Sequence, residues 1–206
     1  MDQVTVITAD VIGSRNHDRV TTLLKDKLVD FSHPSLMVPV GVFRGDELQV
    51  VCRGYGDYPE VVRELRYYCQ PLELRIGIGF GTIEEGYGSN TPWEMNGTAF
   101  SRARKALDGI KDEKDHFTLV CSGDDRWDEV VNTLYLLLDT IQSRWTEAQW
   151  EAVHLYDKKG TYREAALVLG IALQNVQKRC SAANWNQVRE AEETLSKMGL
   201  RLLGSK

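Results

Sequence analysis

The sequence predicts an α+β protein with a ferredoxin-like sheet of the split-βαβ type over residues 1–124, followed by an all-helical unit over residues 125–206. Three observations predict it. Strand and helix signals alternate through the first 121 residues; a hairpin follows the first helix where a doubly wound fold would place a second crossover; and strand signals vanish beyond Asp124.

The elements follow in order. Val4 to Thr8 is a β-branched run ending in the small and polar ADVIGSR, and an amphipathic stretch from Val20 to Phe31 comes next, which reads as strand, loop, helix. Ser35 to Phe43 and Leu48 to Cys52 are two apolar runs separated by Arg44-Gly45-Asp46-Glu47, the pattern of a β-hairpin turning at Gly-Asp. Pro59 opens a helix to about Tyr68, since proline is tolerated in a first turn. Leu72 to Phe80 is strand-like, Gly81 to Asn96 a glycine-rich loop, Gly97 to Ile110 helical and His116 to Cys121 a last short strand. Five helices are then expected over Trp127–Ile141, Thr146–Tyr156, Tyr162–Leu169, Leu173–Ala182 and Asn186–Met198.

Composition narrows the function classes. A 206-residue chain with 42% hydrophobic residues can bury a core for one medium unit and a small one. It contains no run long and apolar enough to span a bilayer, and MDQVTVITAD lacks the marks of a signal peptide, so a cytoplasmic protein without membrane partners is expected. The scattered Cys52, Cys69, Cys121 and Cys180 suggest buried thiols rather than a zinc site. A net charge of −5 confines any nucleic-acid contact to a local patch.

Two acidic residues draw attention by position. In a split-βαβ sheet the first and third strands are central and antiparallel, so Asp10, ending the first, should meet Asp46, at the start of the third. Each carboxylate adjoins apolar strands, where charge is costly unless a cation or hydrogen bonds compensate. Mg²⁺ commonly uses one or two carboxylates together with substrate phosphates. Gly13 and Gly45 would let backbone approach such a ligand closely. Asp10 as a helix cap and Gly45-Asp46 as plain turn chemistry are the alternative. Glu47, one residue on, should point to the opposite face from Asp46 and be solvated.

These segments carry a family resemblance. Thr8-Ala9-Asp10-Val11-Ile12-Gly13 resembles the first metal-binding motif of class III nucleotidyl cyclases. Arg44-Gly45-Asp46-Glu47 is similar to their second, and to the Gly-Gly-Asp-Glu-Phe signature of diguanylate cyclases. Leu74-Arg75-Ile76-Gly77-Ile78-Gly79-Phe80-Gly81 looks like the cyclase strand and glycine loop, with Gly97 to Ala106 as the helix after it. With the C-terminal helices included, nearly the whole chain resembles the SatD family of bacterial proteins. The resemblance implies Asp10, Asp46 and the Val11 carbonyl as ligands of Mg²⁺ or Mn²⁺, with a nucleoside triphosphate as ligand and a site shared across a homodimer. The cyclase helix carries an asparagine and a catalytic arginine; those places fall here on Ser101 and Lys105, with Arg102 and Arg104 as the nearby cations. Arg104 and Lys105 are candidate phosphate contacts.

The segment 161–183 has the pattern of a helix-turn-helix: Thr161 as cap, small Ala165 and Ala166 with Leu169 on an inward face, Gly170 at the turn, then Ile171 and Val176 as core anchors. Its second helix would present Gln174, Asn175, Gln177 and Lys178 to base edges, with Arg163 and Arg179 on the backbone. A helical hairpin used for packing would show the same apolar spacing. Two functions are therefore expected to compete. One is a homodimeric DNA-binding regulator sensing a metal–nucleotide ligand; the other is a nucleotidyl cyclase or oligonucleotide-forming transferase that releases pyrophosphate.

Overall fold

The computed structural model describes residues 2–16, 19–43, 45–111 and 117–204. It is an α+β protein with one mixed five-stranded sheet and, among the described residues, eight α-helices. The expected turn residue Arg44 and strand residue His116 lie outside the described residues.

In chain order the elements are β1 (Gln3–Val11), α1 (Val20–Leu28), β2 (Gly41–Val42), β3 (Glu47–Arg53), α2 (Tyr58–Cys69), β4 (Leu74–Thr82), α3 (Thr98–Gly109) and β5 (Thr118–Cys121). The helical half is α4 (Asp125–Gln142), α5 (Glu147–Lys159), α6 (Tyr162–Leu169), α7 (Leu173–Ala182) and α8 (Trp185–Gly204). The strands run in the order β2-β3-β1-β4-β5, with β1 central and antiparallel to both neighbours and β5 parallel to β4.

Alternation along the strands gives the sheet two unlike faces. Ile7, Ala9 and Val11 of β1, Leu48 and Val50 of β3, and Ile76, Ile78 and Phe80 of β4 join α1, α2 and the C-terminal helices in the larger core. Val4, Val6 and Val51 face the other way, against Ala99, Phe100 and Ala103 of α3. Gly77 and Gly79 let α3 lie directly on β4: a Cβ at either would run into the backbone of Ala103 or Ala99. The same face carries Thr8, Asp10, Glu47, Gln49 and Arg75 toward one end of the strands, by the register of β1 with its neighbours.

The hairpin departs from expectation. Its first strand is only Gly41–Val42, although Ser35 to Phe43 is apolar. Residues before it still follow β3, through Met37 N–H donating to the Val51 carbonyl (2.9 Å), Arg53 N–H donating to the Ser35 carbonyl (2.8 Å) and a bridge between Leu36 and Cys52. Pro34 and Pro39 lack the backbone donors a continuous ladder needs. Cys52, Cys69 and Cys180 are buried free thiols, whereas Cys121 is half-buried.

The helical half shares the sheet's core. Trp127 of α4 meets Phe80 edge-on at 5.2 Å, Asn132 bonds both backbone groups of Val120, and Tyr135 packs near Tyr58. Two buried arginines of α2 tie the halves together. Arg63 bonds Glu192 of α8 (3.0 and 3.1 Å) and Asp157 of α5 (2.7 Å), while Arg66 bonds Asp139 and Gln142 of α4 and Thr118 of β5. Among the described residues no helix is long and apolar enough to cross a membrane.

Candidate functional site

Where β1 ends and β3 and β4 begin, on the α3 face, the chain assembles a polar corner. The register sets Asp10 opposite Glu47 on one side and opposite Arg75 on the other, so these three side chains share one face. Buried Thr8, one pleat back, accepts a hydrogen bond from the Gln49 amide at 3.1 Å. Asp46 precedes β3 in the turn. That turn is fastened to α1, because Gly45 N–H donates to the Thr21 hydroxyl (3.1 Å) and the hydroxyl donates back to the Gly45 carbonyl. Gly45 has φ 108°, a conformation other residues rarely adopt, and Gly13 has φ 65° in the turn beyond β1.

Asp10 is the strained member of the corner. Its side chain is 16% exposed, and among the described residues Oδ1 has no hydrogen bond and its nearest cation is Arg75 Nη1 at 3.7 Å. Burial raises its pKa above the ordinary carboxylate value; Arg75 opposes the rise, and the negative charges of Asp46 and Glu47 add to it. Glu47 is not simply solvated, as its position suggested. It is gripped by both terminal nitrogens of Arg104, one at 2.9 Å, and this hydrogen bonding raises the Arg104 pKa.

Val11 buries its side chain in the larger core, which leaves only its backbone to act as a ligand. Lys105 is exposed on α3. Ser101 sits apart from the corner: its hydroxyl donates to the Gly97 carbonyl (3.3 Å), and it lines a hollow with Glu84, Glu85 and Asn96. Arg102 is also committed elsewhere, donating to the Phe80 carbonyl at 2.6 Å. Among the described residues no group of three or more His, Cys, Asp and Glu side chains is placed to hold a metal. A site built on Asp10 and Asp46 would therefore be of the carboxylate-poor kind, completed by backbone, water and phosphate oxygens, as suits Mg²⁺.

The sequence reading missed Arg75. It interrupts an apolar strand at the position level with Asp10, a signal that becomes readable only once the β1–β4 register is known.

The second candidate surface lies on α6 and α7. Thr161 caps α6 by accepting from Glu164 N–H (3.2 Å), and Gly170, at φ 64°, ends it with its N–H donating to the Ala166 carbonyl. Ala165, Ala166, Val176 and Cys180 are buried, with Leu169 and Ile171 only partly so. Gln174, Asn175, Gln177 and Lys178 are exposed on α7, Arg163 is exposed on α6, and Arg179 is half-buried.

A family model described as the SatD family matches residues 5–184, spanning the polar corner and α7 alike. The chain belongs to the SatD family. No curated protein matches it. Among solved structures, this SatD-family chain is similar to the crystal structure of a regulator of polyketide synthase expression from Bifidobacterium adolescentis. The two share 14% identity over 98% of this chain and 80% of that one, with a TM-score of 0.26, a likeness too loose to bear on fold or function.

Proposed function

We propose that this SatD-family chain is a cytoplasmic, DNA-binding transcriptional regulator whose sheet half is a nucleotidyl-cyclase-like sensor of a metal–nucleotide ligand. The strand order, with antiparallel β1 and β3 central and α3 on one face, supports reading the sheet as a ferredoxin-like fold extended by β5. The sheet domain would then span residues 1–124 and the helical domain 125–206.

One observation carries the DNA half. Successive polar residues of α7 stand exposed while Val176 and Cys180 anchor the helix from behind, and the left-handed turn at Gly170 sets α7 across α6. Such a helix-turn-helix places amides where they can pair with adenine edges and Lys178 where it can reach guanine or phosphate, with Arg163 and Arg179 on the backbone. A single small motif reads too few base pairs for an operator, so a homodimer on two half-sites follows.

In the sheet half, Asp10, Asp46 and the Val11 carbonyl would hold Mg²⁺ or Mn²⁺, which supplies charge neutralisation for the phosphates of a nucleoside triphosphate. The unbonded, largely buried Oδ1 of Asp10 and the oxygen-only donor set fit that ion. Gly13 would let backbone approach phosphate, Gly45 would do so on giving up its bonds to Thr21, and Arg104 and Lys105 would supply cations from α3; Ser101 would contribute only from the neighbouring hollow.

Selection from a random DNA library followed by salt titration tests the regulator reading. A preferred sequence should emerge, and Lys178→Ala should weaken binding and flatten the log–log salt slope by about one unit if the lysine meets phosphate. Equal weak binding to all sequences, unchanged in Lys178→Ala and Gln174→Ala, would contradict it.

A further inference from the structure

The polar corner carries counter-ions of its own, and the way they are held says how a ligand must enter. Arg75 from β4 stands 3.7 Å from Asp10 and Arg104 from α3 grips Glu47, while the charge of Asp46 acts on Asp10 and Lys111, bonded to Asp108 at 2.7 Å, opposes it. Neither arginine is deeply held. Arg104 is 44% exposed at its side chain, and Arg75 stands beyond hydrogen-bond reach of the carboxylate it neutralises. Arg104 is open to solvent on one side, which lowers the cost of leaving Glu47, and Arg75 has no hydrogen bond to Asp10 to give up. A guanidinium fork matches phosphate as well as carboxylate, so the same side chain can leave one for the other with little rearrangement.

We infer that Arg75 and Arg104 are exchangeable counter-ions, neutralising Asp10 and Glu47 in the free protein and passing to phosphate oxygens when a metal polyphosphate arrives. This rests on the Asp10–Asp46 metal reading. A divalent cation alone would compete with Arg75 for Asp10 and leave the corner positive. A polyphosphate alone would draw Arg104 and Arg75 away and leave three carboxylates facing its own charge. Both together satisfy every group, so each promotes the other's binding by the same factor. The substrate class that fits is a di- or triphosphate carrying its divalent ion, whatever is attached beyond the phosphates.

Calorimetric titration of the full chain with Mn²⁺, with tripolyphosphate and with the preformed Mn²⁺–tripolyphosphate complex tests this without any activity assay. The complex should bind at least tenfold more tightly than either component alone. Removing the counter-ions in the double variant Arg75→Ala/Arg104→Ala should tighten bare Mn²⁺ binding while abolishing the preference for the complex. Glu47→Gln, which releases Arg104, should tighten binding of tripolyphosphate alone. Metal affinity unchanged in the double variant, with the complex bound as in the wild type, would overturn the exchange while leaving the metal site standing. Wild-type protein that binds neither Mn²⁺ nor its complex would overturn the metal reading, and the exchange with it.

Discussion

His154 illustrates how one buried side chain sets the response to acid. It lies flat against Tyr67 at a centroid distance of 3.9 Å, with no hydrogen bond to Nδ1 among the described residues. Burial, helped by Lys158 and Arg63, pushes its pKa down to about 4. The folded protein therefore keeps it neutral while the unfolded chain protonates near the ordinary histidine value. Its stabilising neutrality is complete above about pH 6.5 and is lost as pH falls toward 4. Glu192 runs the other way. Burial pushes its carboxyl up to about 7 even with Arg63 against it, so on its account stability rises as pH falls from 7 toward the ordinary glutamate value. The two windows overlap, and the wild-type profile alone cannot separate them. The expected outcome is that His154→Phe flattens the His154 contribution, so its urea-denaturation stability relative to wild type improves steadily from pH 7 to 4.5. A constant difference across that range would show that the ring is not held neutral. Neither group is legible in the sequence, because both depend on which helices meet. Arg75 escaped the sequence reading, and Glu47 was expected to be solvated, for a related cause: a strand's alternation tells which residues share a face, but only register tells which residues stand side by side.

Elements were legible in proportion to how local their signals are. The bounds of α6 and α7 coincide with those read from capping threonine, turn glycine and apolar spacing, all set within a few residues. The reading of Ser35 to Phe43 as a full strand failed because apolar character was weighed above Pro34 and Pro39, and a strand at the sheet edge is where prolines interrupt pairing. The glycines of β4 could be read as tight packing or as phosphate approach, and their place under α3 makes them packing positions. Gly79→Ala should be among the most damaging of conservative changes, because the new methyl group meets helix backbone that cannot swing aside. A loss of several kcal/mol, or failure to fold, is expected from chemical denaturation. Gly170→Ala meets open space and carries only the cost of a left-handed backbone, about 1 kcal/mol. Equal effects at the two sites would refute the close helix–sheet contact.

At the scale of the whole molecule, the sheet and the helices after Asp124 are joined by shared core and buried charge rather than by a bare linker. Arg63 and Arg66 on α2 reach α4, α5 and α8, while the other face of the same sheet carries the Asp10 corner. A rearrangement at that corner thus has a continuous packed route toward α5, against which α6 and α7 lie. On the function proposed above, this is the physical basis on which a sensor and a DNA-reading surface would act as one protein, and it depends first on the corner taking a cation. Crystals grown with Mn²⁺ and a non-hydrolysable triphosphate analogue give the direct answer through manganese anomalous scattering. The account predicts a peak at about 2 Å from carboxylate oxygens of both Asp10 and Asp46, with Arg75 turned from Asp10 toward phosphate. A map with no peak there, and Asp10 still facing Arg75, would contradict it.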